Sequence, residues 1–381
     1  MTDYNQNHID RRYLSMALKL ARRGLGNTGP NPSVGVVIVQ DKSGRSIPEI
    51  VGLGCTQPGG RPHAEIVALT NAGENARGAT LYVTLDPCTH QGKTPPCTKA
   101  IEQAGIARVV SLGFDPNPRV AEQSQRLIEA AEITFLRMEG SLKEAAEWVV
   151  RGHIQAVQNK RPCFQLKLAV GQDRRVPRGT GKPVWVTPQL ARSHGHLLRL
   201  ETDAILVGRR TVHDDDPSLT CRLPGLVDRS PIRVVLDSEL RTSENSTLVK
   251  TASRHPLWIF CSLTAPAERE KILREEGADI IRVATNKAVK GLDLNDIAGH
   301  LLTRNVRRVL VEGGPYVAEA FCKAELADEI FIYQGRQRVG AEGINPFGSG
   351  GVAGLVQSSR FKMTERYIGE TLLRHFRRVD R

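Results

Sequence analysis

Short apolar runs of strand length recur along this chain, and segments of helical spacing lie between most of them. VGVVIV (34–39), TLYVTL (80–85), ARVVSL (107–112) and ITFL (133–136) are such runs in the first half. FQLKLAV (164–170), DAILVG (203–208), IRVVLD (232–237), LWIFC (257–261), RVLVEGG (308–314) and EIFIY (329–333) follow in the second. Apolar strands separated by helices predict α/β domains, the second a mostly parallel sheet with helices on both faces. IVGLG (50–54) follows VGVVIV across a turn-rich stretch and is the expected hairpin partner. Residues 10–23 set Leu14, Ala17, Leu18 and Ala21 on one helical face, with Asp10 as the expected cap and Gly24 as the stop. Further helices are expected over 63–73, 98–104, 120–131 and 142–158. NKRP (159–162) is a polar break ending in proline, so two domains are expected, 1–158 and 159–381.

No stretch approaches the roughly 18 apolar residues that a membrane helix needs. The polar start MTDYNQNHIDRR lacks a secretory pattern, so a cytoplasmic protein is expected. The formal charge is +12, yet Lys and Arg are spread along the chain and aromatic residues make up only 5%. That distribution favours small anionic ligands over nucleic acid. Seven cysteines, an odd and sparse set, argue for reduced thiols rather than a disulfide framework. Cys163, Cys221, Cys261 and Cys322 sit singly and are expected to be small buried hydrophobes. Cys88 and Cys97 are different.

His63-Ala64-Glu65 opens an expected helix, Pro87-Cys88 ends an expected strand, and Cys97 opens the next helix. One imidazole and two thiolates brought together at the end of a sheet suit Zn²⁺ better than a hard cation. Three protein ligands with an open fourth position is the arrangement of a catalytic zinc. Glu65, two residues after the first ligand, is then placed to shuttle a proton as general base and acid. A closed structural site is the alternative, with His90 or Cys55 as fourth ligand. The His-x-Glu, Pro-Cys, Cys order is the signature of zinc nucleobase deaminases, but here eight residues separate the cysteines rather than two.

PNPSVGVVIV (30–39), HAE (63–65) and LDPCTHQGKTPPC (85–97) resemble the deaminase half of the bifunctional deaminase/reductases of riboflavin biosynthesis. The resemblance continues through KLAVGQDRR (167–175), WVTPQLAR (185–192), DAILVGRRTVHDDDPSLTCR (203–222), VVLDS (234–238) and VEGG (311–314). It implies a cytidine-deaminase-like three-layer domain followed by a dihydrofolate-reductase-like α/β domain. It further implies that His63, Cys88 and Cys97 hold zinc and that Glu65 is the proton shuttle. Asn31 would hold the pyrimidine or ribose, and His90 and Lys93 would lie near the substrate phosphate. In the second domain, Ala169, Trp185, Thr211, Asp215, Ser238 and Gly314 would contact NADPH. Arg199, Leu219, Arg222 and Glu312 would hold the ribose phosphate. A phosphorylated pyrimidine substrate, no nucleic-acid or membrane partner, and a homo-oligomer are the corresponding expectations.

Two positions depart from the family pattern. Gly171-Gln172-Asp173-Arg174 stands where the family usually has Ser-x-Asp-Gly, and Pro183 where a serine is frequent. Losing a hydroxyl and a turn glycine bears on the shape of the substrate mouth. An active reductase with weakened binding is the expectation. The rivals are a deaminase carrying a non-catalytic sensing or dimerisation domain, and a nucleic-acid deaminase with an RNA-binding tail.

Overall fold

The computed structural model describes residues 3–41, 48–92, 95–113, 115–117, 120, 123–178, 184–286 and 291–379, so Lys93 and Pro183 lie outside the described residues. The chain forms two compact units, Met1–Lys160 and Arg161–Arg381.

The first unit opens with α1 (Asp3–Arg23) and the hairpin β1 (Gly35–Gln40) and β2 (Glu49–Cys55). α2 (Ala64–Ala72), β3 (Thr80–Val83), α3 (Cys97–Gln103), β4 (Arg108–Ser111), α4 (Gln123–Ala130) and β5 (Thr134–Arg137) follow, before α5 (Ser141–Val149) and α6 (Arg151–Gln158). The sheet runs β2-β1-β3-β4-β5, with β1 antiparallel to both neighbours and β3, β4 and β5 parallel. Alternation along β1 sends Val37 and Val39 to a core under α1, and Val36 and Ile38 to a core under α2. Each such side chain contributes about 1.5–3 kcal/mol by leaving water.

Both helix layers sit unusually close to the sheet. A Cβ on Gly35 would stand 2.0 Å from the carbonyl oxygen of Ala17, and one on Gly54 2.1 Å from that of Ala64. Only glycine permits those approaches, and the second fixes the first turn of α2.

Asp10 is not the cap of α1. The helix starts at Asp3, and Asp10 is buried inside it. Its carboxylate accepts both arms of Arg108 at 2.8 and 2.6 Å, Tyr82 Oη at 2.9 Å and Gln6 Nε2 at 3.0 Å. Gln6 and Asp10 share one helical face, which points at β4 rather than at water. The helix expected over 142–158 is two, because Val150 leaves helical geometry at φ −93°, ψ 12°.

The second unit runs β6 (Cys163–Val170), α7 (Gln189–Leu200), β7 (Ala204–Gly208), α8 (Arg209–Asp215), β8 (Ile232–Leu236), α9 (Thr247–Lys250) and β9 (Leu257–Ser262). It continues through α10 (Ala267–Glu275), β10 (Asp279–Val283), the short ladder β11 (Thr285–Asn286) and β12 (Gly291–Leu292), α11 (Leu294–Thr303) and β13 (Arg308–Val311). α12 (Pro315–Lys323), β14 (Ala327–Gln334), α13 (Gly351–Gln357), β15 (Phe361–Ile368) and β16 (Thr371–Arg378) complete it. The nine-stranded sheet has the order β10-β9-β8-β7-β13-β6-β14-β16-β15. Its first seven strands are parallel and its last two antiparallel. β10, β11, β12, β15 and β16 are additions to the sequence reading. The last two read as polar because they form a half-solvated edge.

The turn after β6 closes without the family's glycine. Arg174 takes φ +60°, donates its N–H to the Gly171 carbonyl at 2.9 Å, and leaves its side chain exposed. Asp173 clamps the turn by accepting the N–H groups of Val339 and Gly340 at 3.1 and 2.8 Å. A Cβ on Gly171 would lie 2.7 Å from the Gln337 carbonyl oxygen, so a serine does not fit there as the backbone stands. The left-handed conformation is strained for arginine, and its relief is partly offset by glycine's greater chain entropy. Arg174→Gly is therefore expected to stabilise this unit by about 0.5–1 kcal/mol. Thermal denaturation should show a midpoint higher by about 2–4 °C, and a lower midpoint would contradict the strain.

Candidate active sites

The first site is assembled at the start of α2 and α3, beside the end of β3. His63 is the residue before α2, in extended geometry at φ −65°, ψ 157°, so its ring leaves the helix axis. Cys97 is the first residue of α3, and its N–H donates to Cys88 Sγ at 3.3 Å. Thr98 adds N–H and Oγ1 bonds to the Cys88 carbonyl at 3.3 and 3.4 Å. The loop after β3 is itself anchored by Asp86 N–H on the Gly113 carbonyl at 2.8 Å.

His63 Nδ1 lies 3.3 Å from Cys97 Sγ and 3.6 Å from Cys88 Sγ, and the three ligand atoms all fall within 4.8 Å of one another. A tetrahedral zinc, at about 2.3 Å from sulfur and 2.0 Å from nitrogen, needs ligand atoms about 3.5–3.8 Å apart. The residues present fit that ion. Their protonation fits it too. The hydrogen bond from Cys97, with His63 beside it, lowers Cys88 to about 4. That same hydrogen bond, with burial, pushes the Cys97 thiol far up. A divalent cation is what lets both sulfurs ionise together. Among the described residues no fourth His, Cys, Asp or Glu joins the cluster, so neither Cys55 nor His90 closes it.

Glu65 is only 4% exposed and shares a hydrogen bond with Cys97. Burial, reinforced by the Cys88 charge, raises its carboxyl to about 7. A group poised there can both take and return a proton near neutral pH. Asn31 donates to the Gly60 carbonyl at 2.9 Å and stands 3.4 Å from His63 Nε2. His90 lies in the loop after Cys88 with a buried Nδ1 that has no hydrogen-bond partner among the described residues. Lys93, expected nearby, is outside the described residues.

The second site is a cavity of about 540 Å³ in the second unit. Ala169, Trp185, Thr211, Asp215 and Gly314 line it, together with Arg199, Leu219, Arg222 and Glu312. Ser238 does not. It sits two residues past β8 in another cavity, of about 820 Å³, with Arg241, Ser262 and Thr264.

Glu312 is the electrostatic centre of the first cavity. Arg199 donates Nε and Nη2 to its two oxygens at 2.9 and 3.0 Å, and Lys167 Nζ lies 3.6 Å away. Burial alone would raise the carboxyl, but the Arg199 and Lys167 cations outweigh it and hold it at about 2. Arg199 Nη1 also donates to the Thr220 carbonyl, at 2.7 Å. Trp185 stays 57% exposed at the cavity mouth, with the Arg192 guanidinium 4.8 Å from its ring centre. Gly314 opens α12, and its N–H donates to Thr211 Oγ1 at 3.2 Å. Helix N-termini of this kind favour phosphate. Arg210, Tyr316 and Thr247 also line it, and nothing in their local sequence marks them.

Comparison with known proteins covers both units. The RibD C-terminal domain family matches residues 162–373, and the cytidine and deoxycytidylate deaminase zinc-binding region matches residues 7–112. The chain is 36% identical over 371 residues to riboflavin biosynthesis protein RibD of Aquifex aeolicus, covering 97% of this chain and 99% of that one. It is 36% identical over 379 residues to RibD of Escherichia coli, covering 96% and 98%. Among solved structures, Acinetobacter baumannii RibD has a TM-score of 0.81 at 29% identity, covering 98% of this chain and 99% of that one. A Thermotoga maritima diaminohydroxyphosphoribosylaminopyrimidine deaminase/5-amino-6-(5-phosphoribosylamino)uracil reductase has a TM-score of 0.80 at 31% identity, covering 98% and 100%. Both expected folds are therefore present, and the non-catalytic and RNA-binding readings of the second half are not favoured. The chain belongs to the RibD family of riboflavin biosynthesis, whose members join a zinc-dependent deaminase to an NADPH-dependent reductase.

Proposed function

We propose that residues 1–158 hydrolyse the exocyclic amine from a diaminohydroxyphosphoribosylaminopyrimidine, and that residues 159–381 reduce the ribosyl group of the product to ribityl. One observation carries the first half: an imidazole nitrogen stands 3.3 and 3.6 Å from two thiols, with a buried carboxyl beside them. His63, Cys88 and Cys97 hold zinc, which supplies hydroxide for hydrolysis near neutral pH. Glu65 takes the proton of the attacking water and hands it to the departing amine, which leaves as ammonia. Asn31 orients the heterocycle, and the orphaned Nδ1 of His90 finds its partner on the substrate side. Lys93 adds a cation for the phosphate.

In the second half, NADPH supplies the hydride. Ala169, Trp185, Thr211, Asp215 and Gly314 would hold it, and the family resemblance adds Ser238. Glu312, kept ionised, fixes Arg199 in the cavity wall. Arg199, Arg222 and the backbone of Leu219 hold the ribose phosphate, for which the guanidinium fork is suited. The chain acts in the cytoplasm on small phosphorylated pyrimidines, without nucleic acid or membrane, as a homo-oligomer. Among the described residues no helix is long and apolar enough to cross a membrane.

Three measurements test this. Elemental analysis should find about one zinc per chain, lost in Cys97→Ala; zinc retained there would remove the ligand assignment. Glu65→Gln should keep zinc yet lose deamination by about 10²–10⁴, with NADPH oxidation on pre-deaminated substrate preserved. Deamination close to wild type would overturn the shuttle role. Arg222→Ala should raise the reductase KM by about 10–100-fold, the worth of a charge-assisted contact, with a smaller effect on kcat. An unchanged KM would move the phosphate elsewhere.

A further inference from the structure

The segment from Asp216 to Arg222 brings the substrate side of the reductase cavity into place, and it is bent twice. Asp216 takes φ +38° and Leu219 φ +54°, both in the left-handed region that side chains other than glycine avoid. Leu219 is also 3% exposed and lines the cavity. A leucine has no polar side-chain atom, so it meets a phosphate only through its main-chain N–H. Its contribution is therefore set by backbone conformation alone. The same segment supplies the Thr220 carbonyl that fixes Arg199, at 2.7 Å, and the Arg222 side chain. Arg222 is steadied from two sides: its N–H donates to His196 Nδ1 at 3.4 Å, and Nη1 to Ser218 Oγ at 3.3 Å.

What holds the first bend is a contact across 31 residues. Asp216 Oδ1 accepts the Thr247 N–H at 2.7 Å, and Oδ2 accepts Thr247 Oγ1 at 2.7 Å. Thr247 is the first residue of α9 and itself lines the cavity. Both oxygens of one carboxylate are thus committed to one residue, at the point where the chain leaves α8 in left-handed geometry. Non-glycine residues stay in such conformations only where the surroundings over-determine them, and they collect at ligand clamps. We infer that the Asp216–Thr247 clasp is a positioning device for the reductase: it imposes the bend from which Leu219 and Arg222 reach the substrate phosphate. Asp216 and Thr247 act through those residues and need not touch substrate. The inference rests on the proposed phosphate role of Leu219 and Arg222.

Asp216→Gly and Thr247→Val remove the clasp by different routes: glycine permits the left-handed backbone without a carboxylate to hold it there, while valine keeps the N–H and loses the hydroxyl. Each is expected to raise the KM for the deaminated substrate by about tenfold, a loss of binding shared by ground and transition state. kcat should stay within about threefold, since such a loss leaves the bound complex as reactive as before. NADPH affinity, read from cofactor fluorescence, should not move, and Asp216→Asn should recover part of the loss. Deaminase activity of the same preparations and their melting midpoint report that the protein is folded. An unchanged KM in both variants, with KM raised in Arg222→Ala, overturns the clasp and leaves the substrate assignment standing. Lowered melting with an unchanged KM does the same. If Arg222→Ala also leaves KM unchanged, the phosphate assignment fails and the clasp fails with it.

Discussion

The contact on which the deaminase unit depends is the approach of α2 to the β1–β2 hairpin through bare glycine. With Gly54 against Ala64 and Gly52 against Ala68, helix backbone rests directly on strand backbone. Any side chain at either glycine would lift α2, and His63 and Glu65 ride on its first turn. The ligand distances at His63 tolerate changes of only a few tenths of an ångström. A packing choice made in the core therefore decides whether three ligand atoms converge. α3 is tied to the same point by its own first N–H on Cys88, so the two helix starts and the strand end behave as one frame.

The second unit solves a different problem, which is how to keep the cations of a cavity wall in order. Glu312 does this from inside. It is buried and ionised against Arg199 and Lys167, so the cations have a partner whose removal would leave charge stranded away from water. The arrangement costs desolvation and returns a wall whose cations are already held in place.

Much of this was legible from residues alone, for identifiable reasons. Strand runs showed because sheets buried on both faces are continuously apolar, and the cluster of His63, Cys88 and Cys97 because thiols and an imidazole in such spacing invite convergence. The extension of α1 was hidden because Asp10 looks like a cap unless Arg108, 98 residues away, is known to face it. β15 and β16 were hidden because an edge hairpin carries polar residues on its open face. Ser238 followed the family motif into another cavity than its companions, since motif membership says nothing of which strand ends share a hollow. The clasp between Asp216 and Thr247 had no local signal: a hydrogen bond across 31 residues leaves none.

Gly171 carries a consequence for how this sequence can drift. The Gln337 carbonyl oxygen and the Val339 side chain occupy the space that a side chain at 171 would need, 2.7 and 2.8 Å from where its Cβ would stand. Asp173 then pins that segment through Val339 and Gly340. Neither stretch can now change alone. A descendant that acquired a serine at 171 would first need a substitution near 337 that lets the facing loop retreat, and the order of those two steps matters. Two sites 166 residues apart in the chain have become a single unit of inheritance, open to change only as a pair.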